Sequence, residues 1–499
     1  MLSLEFSHAG CPIALEQKYI RMPNNPWSSD DSFSELESIS ALTTDLADTH
    51  ETALHFYRGL AGRRRKAAMV LMAIWGSTIA LHLFSWGIWV VWAITTLVGM
   101  QVLRMLVAVP RALPDPLTEQ DPEQLPFVSL MVAAKNEESV IGSLVRGLCN
   151  LNYPAHRYEL WVIDDHSTDR TPEILARLQS DFPQLKVFRR SADATGGKSG
   201  ALNQVVPMTR GEFIGVFDAD ARVSPDLLRW MLPLFGRDRV GSVQVRKAIA
   251  HAETRPHSRN FWIGGQVAEM GVDSFFQRQR IAVGGLGELR GNGQFVRRTA
   301  LEDCGGWNEE TITDDLDLTL RLHLAQWDIE FLADPAVEEE GVTKAIGLWH
   351  QRNRWAEGGY QRYLDYWRLL ARNRLGTRKT LDMLTFFTVQ YLVPQAAVPD
   401  LVMAIARNRL PILMPLTTLT VLMTMTGMYA GLRRISASRV PHWRTLFQSL
   451  QGALYMLHWI PVIASTTFRI SIRPKRLKWV KTAHYGDDDL WLDVSEQVE

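Results

Sequence analysis

The chain has 499 residues, 46% of them hydrophobic and 22% charged, a balance that excludes a disordered polypeptide and leaves room for a sizeable core. Lys plus Arg and Asp plus Glu each total 54, so net charge points neither to nucleic acid nor to an acidic ligand, and no nucleic-acid partner is expected. Cys11, Cys149 and Cys304 stand too far apart for a disulfide framework or a zinc site and agree with a reducing, cytosol-facing location.

Residues 1–62 are polar, rich in Ser, Asp and Glu and without periodicity, and they lack a basic start or cleavage site, so they read as a disordered acidic tail. The stretch 67–109 is almost wholly apolar. One span needs about 20 such residues, so two helices turning near Phe84–Gly87 are expected. Arg63, Arg64, Arg65 and Lys66 precede them, Arg104 and Arg111 close them, and the turn carries no charge, which places both ends in the cytosol.

Residues 126–378 alternate strand and helix patterns, as in an α/β layer fold with a largely parallel sheet. Strands are expected at Phe127–Ala133, Tyr158–Ile163, Leu185–Phe188, Phe213–Phe217 and Gly241–Val245. Beyond residue 378, Leu410–Leu432 and Leu446–Phe468 are each long enough to span. Met383–Ile405 is interrupted by Pro394, Pro399 and Asp400; an Asp at the bilayer centre costs about 2.5–3.5 kcal/mol, so 383–405 is expected in the interface and 410–468 as two spans. The final segment, 469–499, contains the basic run Arg473–Lys481, suited to anionic lipids.

Ligands of open α/β sheets bind beyond the carboxyl ends of strands, and acids stand there. Asp164 and Asp165 follow one strand, and Asp218 and Asp220 flank Ala219 after another. Either pair alone could cap a helix. Together they suggest hard oxygen ligands for Mg²⁺ or Mn²⁺ carrying a diphosphate. Between them, Ala194–Gln204 places Gly196, Gly197 and Lys198 where backbone and an ammonium could approach a phosphate or a carboxylate; the spacing is not that of a P-loop. Thr313 followed by Asp314 and Asp315 reads as a helix N-terminus, although the leucines at 316, 318, 320, 322 and 324 also alternate like a strand. An Asp held there could act as a general base.

Trp349–Gly359 then crowds Gln351, Arg352, Arg354 and Trp355 together. As structure alone this suits an interfacial helix; as chemistry, an arginine fork matches phosphate oxygens.

Taken in order, Asp164/Asp165, Asp218-Ala219-Asp220, Thr313-Asp314-Asp315 and Gln351-Arg352-Asn353-Arg354-Trp355 resemble the family 2 glycosyltransferases of nucleotide-diphosphosugar (GT-A) fold over residues 126–370. The last run is that family's Gln-x-x-Arg-Trp signature, found in its membrane-embedded members. Further runs, among them VAAKNEE at 132–138 and CGGWNEETITDDLDLTLRLH at 304–323, are similar to the cyanobacterial branch that builds glucosyldiacylglycerol.

The resemblance implies a GT-A domain between transmembrane helices and inverting transfer of glucose from UDP-glucose to 1,2-diacylglycerol, giving the precursor of galactolipids. It implies Mg²⁺ or Mn²⁺ and a multi-pass protein of the plasma or thylakoid membrane with a cytosolic catalytic domain. By position, Asp164 or Asp165 would hold the uracil and ribose end, with Lys198 beside the nucleotide. Asp218 and Asp220 would form the metal motif, and Gln351, Arg352 and Arg354 would meet the diphosphate. Trp355 would face the acceptor. Asp315 would be the base, with Asp314 replacing the family's Glu. Processive polysaccharide synthases share the same four stations and are the alternative; their channel needs more spans than this chain offers.

Overall fold

The computed structural model describes residues 62–118, 122–250, 260–435 and 440–472; the acidic tail and the Arg473–Lys481 run lie outside them. The first apolar stretch is a helical hairpin, α1 (Arg63–Leu83) and α2 (Gly87–Val107). Both helices keep large apolar side chains on the outside, such as Met72 and Leu83 of α1 and Trp89, Leu97 and Leu103 of α2. A solvated surface would expose polar groups there.

The next block is built on eight strands. In chain order come β1 (Val128–Ala134), α3 (Ile141–Cys149), β2 (Tyr158–Asp164), α4 (Thr171–Asp181), β3 (Leu185–Arg189) and α5 (Gly197–Val205). β4 (Phe213–Phe217), β5 (Arg222–Val223), β6 (Val240–Ile249), α6 (Phe261–Ala282) and β7 (Gln294–Arg297) follow. The block closes with α7 (Asp314–Leu324), β8 (Asp328–Glu339) and α8 (Ala345–Ala371).

The sheet order is β3-β2-β1-β4-β7-β6-β8-β5. From β3 to β4 it is parallel. β7 then pairs antiparallel with both β4 and β6, and β8 lies parallel to β6 and antiparallel to β5. The sheet is therefore mixed but largely parallel, as expected: six strands run one way, and only β7 and β5 run against them.

Alternation along β1 shows why helices cover both faces. Val128, Leu130 and Val132 enter one core with α3, while Met131 enters a second core with Ala201, Leu202 and Val205 of α5. The leucines of 316–324 resolve as a helix buried on two sides: Leu318 and Leu322 meet the sheet, and Leu320 meets Tyr360 and Leu364 of α8.

The C-terminal part departs from its sequence reading. Pro394, Pro399 and Asp400 do not break their segment: α9 (Thr377–Phe387) runs through a π-turn at Thr388–Leu392 into α10 (Val393–Ala406). The wider turn precedes Pro394, which has no N–H to donate. Asp400 accepts from the Ile412 and Leu413 amides at 2.8 and 3.1 Å and meets His82 Nε2 of α1 at 2.7 Å, so its cost in an apolar setting is offset.

After α11 (Met414–Ile435), the stretch Leu446–Phe468 is two helices rather than one, α12 (His442–Met456) and α13 (Trp459–Ile472). Pro461 explains the break: it cannot donate to a carbonyl four residues back, but it is tolerated in the first turn of α13. Among the described residues, α1, α2 and the run Thr377–Ala406 are long and apolar enough to cross a membrane.

Candidate active site

The carboxyl ends of β2 and β4 carry the acids, as the open-sheet rule requires. Asp164 is buried and accepts the Ser167 amide at 2.9 Å, closing its own turn. Asp165 stays partly exposed, paired with Arg190 at 2.6 Å and Lys135 at 3.4 Å. Arg190 also bonds the Thr195 and Gly197 carbonyls, so it ties the first acidic station to the glycine loop; no motif had singled it out.

At the start of α5, Lys198 donates to Asp218, and Ser199 Oγ lies 3.3 Å from Asp314. One helix turn thus touches the second and third stations. Burial disfavours the Lys198 charge, but Asp218, Asp314 and Asp315 outweigh it and raise the ammonium pKa. Asp220 accepts the Glu340 amide at 3.0 Å, which fixes the Asp-Ala-Asp loop to the end of β8.

Asp314 and Asp315 open α7, with Thr313 at the N-cap position but making no side-chain cap bond. Burial pushes the Asp315 carboxyl up to about 6, with Asp314 adding repulsion; the Leu316 amide, Arg290 and Lys198 pull the other way. The glycine run supplies the wall beside it. Gly291 has φ +79° and a side chain there would come within 3.5 Å of the Asp315 carboxylate, while neighbouring Asn292 accepts the Asp218 amide at 3.2 Å. Glycine is needed here for the left-handed backbone, not for space.

The signature run divides. Arg354, whose pKa burial lowers and Asp218 raises, lies within the field of Asp218. Arg352 does not join it: the side chain is buried, paired with Glu269 of α6 and bonded to the Tyr455 hydroxyl at 3.1 Å. Gln351 accepts from Arg352 at 2.9 Å. The Trp355 ring has the Arg352 guanidinium 4.0 Å and the Lys247 ammonium 5.3 Å from its centroid. Lys247, at the end of β6, pairs with Glu339 at 2.9 Å and feels Asp218 and Asp315. It too was missed, because one lysine in a strand carries no spacing signal.

Asp218, Asp314, Asp315, Lys198, Lys247 and Arg354 therefore form one mixed-charge centre. Asp218 of this centre and nearby Asp220 suit a divalent cation that takes its remaining ligands from water and a diphosphate; among the described residues no group of three or more His, Cys, Asp or Glu side chains offers a fuller cage.

Comparison with known proteins agrees with this geometry. Residues 126–358 match the family "Glycosyltransferase like family 2". Over 474 residues the chain is 58% identical to the beta-monoglucosyldiacylglycerol synthase of Nostoc sp., covering 93% of this chain and 99% of that one. The chain belongs to the beta-monoglucosyldiacylglycerol synthase family. The Synechocystis sp. member is 53% identical over 484 residues, covering 95% of this chain and all of that one. A mannosyltransferase from Pyrobaculum calidifontis, in complex with GDP-Man and Mn²⁺, shares the fold at a TM-score of 0.50 and 19% identity, covering 77% of this chain and 99% of that one. Within the synthase family, this chain is thus a glycosyltransferase with a GT-A-like mixed sheet.

Proposed function

We propose that the chain transfers glucose from UDP-glucose to the free hydroxyl of 1,2-diacylglycerol with inversion. The observation that carries the mechanism is the buried Asp315 carboxyl, raised to about 6 and set beside the Asp218 centre through Lys198. A base with such a pKa is charged at neutral pH yet can hold a proton. Asp315 takes the hydroxyl proton as the oxygen attacks the anomeric carbon, and the bond to the UDP diphosphate breaks on the opposite face. Arg354 and Lys198 stabilise the departing charge. Asp165 faces the uracil and ribose end, and Trp355 offers the acceptor a flat wall. Asp218 and Asp220 would hold Mg²⁺ or Mn²⁺, which supplies charge neutralisation on the diphosphate.

The membrane arrangement that fits is a cytosolic catalytic block with α1, α2 and the 377–406 run crossing, and with α11, less apolar than these three, as the returning segment. The tie between His82 and Asp400 supports it, since it joins the end of α1 to the middle of α10. α11 then has to return, because α12 packs on α6 of the catalytic block. The test is incubation of membranes containing the protein with Mg²⁺, diacylglycerol and radiolabelled UDP-glucose or UDP-galactose. Label in a monohexosyl lipid from UDP-glucose alone is expected; label in insoluble polymer would replace this reading with a polysaccharide synthase.

A further inference from the structure

α12 is built inside out. Trp443, Leu446, Phe447, Leu450, Leu454 and the following Leu457 recur at three-, four- and seven-residue spacings along one face, and each is 49 to 66% exposed. The buried face holds Thr445, Ser449, Gly452 and Tyr455. A solvated amphipathic helix shows the reverse order. Fifteen residues span about 22 Å, short of the roughly 30 Å hydrocarbon core, so α12 cannot cross a bilayer.

The inward face is tightly fitted. Gly452 abuts Ala268, Gly264 lies against Gln451, and a side chain at Gly265 would strike the Tyr455 ring. At the bottom of this seam the Tyr455 hydroxyl lies 3.1 Å from both Arg352 and Glu269, and Trp459 Nε1 donates to Glu269 at 2.8 Å. The exposed helix therefore reaches the signature run through one buried tyrosine.

We propose that the outward face of α12 lies in the membrane surface among lipid acyl chains, and that the bilayer, acting through Tyr455, holds Arg352 and the helix that carries it. Two observations select lipid over a second copy of the chain. α12 follows α11, whose outward side chains Met414, Val421 and Leu422 are likewise apolar and exposed. The outward face also carries exposed polar side chains only at its first turn, His442 and Arg444, with Gln448 and Gln451 half-buried beside it, whereas protein interfaces are rimmed by polar groups. The proposal rests on the membrane arrangement above but not on the identity of the sugar or acceptor.

The test uses the full chain in nanodiscs of phosphatidylcholine and phosphatidylglycerol, with an environment-sensitive fluorophore on Leu450→Cys and, as control, on Arg177→Cys of α4. Quenching at position 450 by nitroxide-bearing lipid and not by aqueous iodide, with the opposite at 177, is expected. Iodide quenching at 450, or a disulfide between copies there, overturns the lipid contact. Tyr455→Phe should leave that quenching intact and lower turnover several-fold; unchanged turnover overturns the coupling to Arg352. A protein that transfers no glucose but shows the lipid quenching would sink the functional reading and leave this one standing.

Discussion

Arg352 is buried against Glu269, an ion pair that joins α8 to α6. Removing one partner of a buried pair strands the other and typically costs about 3–5 kcal/mol. Arg352→Ala should therefore lower the melting temperature or the yield of folded protein. Arg354→Ala should keep the fold and weaken UDP-glucose binding. Thermal unfolding and donor titration on both variants check this; the reverse pattern would exchange the roles of the two arginines.

Asp315→Asn keeps the shape of the side chain but cannot accept the acceptor proton. General-base catalysis contributes about 10²- to 10⁴-fold, and a loss of turnover in that range is expected with donor affinity unchanged. Asp314→Asn removes a like charge from beside Asp315 and should cost far less. If Asp314→Asn instead abolishes turnover, the base is Asp314.

The raised Asp315 pKa has two pH consequences. Turnover should fall about tenfold per unit below pH about 6, as the base becomes protonated. For stability, the folded state binds this proton more tightly than the unfolded chain does. The group's contribution therefore diminishes stability as pH rises from about 4 through about 6. Arg290 and Lys198 act on the same carboxyl and stay charged across that window. Unfolding curves of wild type and Asp315→Asn between these pH values should show the slope flattened in the variant.

Much of this was legible in residues. The first four strands stand within a residue of their expected places because each is a short apolar run bounded by polar loops. β7 was hidden behind a glycine run, since the positive-φ turn through Gly291 and Gly293 directly before it reads as loop. β8 carries Pro335 and five acids among its twelve residues, features that argue against a strand; its pairing with β6 shifts register at Val245/Lys247. The acids of the site were visible by motif. Lys247, Arg190 and Asn292 were not, because tertiary proximity and not spacing brings them there. The division of labour within Gln351–Trp355 needed the partner Glu269, which lies more than eighty residues away.

Chelation should act on the donor and not on the fold. Asp218 and Asp220 are partly exposed and anchored by Lys198 and the Glu340 amide, so their loop is held without a metal. EDTA should abolish UDP-glucose binding while leaving the melting temperature of the donor-free protein nearly unchanged, and Asp220→Ala should reproduce the binding defect. A large loss of stability on chelation would mean that the cation is structural.

Gly359 tests how closely α8 and the 377–406 run fit. Within a helix, Gly→Ala ordinarily stabilises by roughly 1 kcal/mol. Here the new methyl would run into the Tyr391 hydroxyl, which itself donates to the Ala356 carbonyl at 3.3 Å; the next atoms, Tyr391 Cζ and Leu316 Cδ1, lie at 3.5 and 3.7 Å. Gly359→Ala should therefore destabilise, and because Leu316 follows Asp315, turnover should fall with it. Tyr391→Phe deletes the one obstructing atom, so the double variant should recover both stability and turnover despite losing a hydrogen bond. Additive losses in the double variant, measured by thermal unfolding and glucose transfer, would show that the contact at Gly359 is not what limits the substitution.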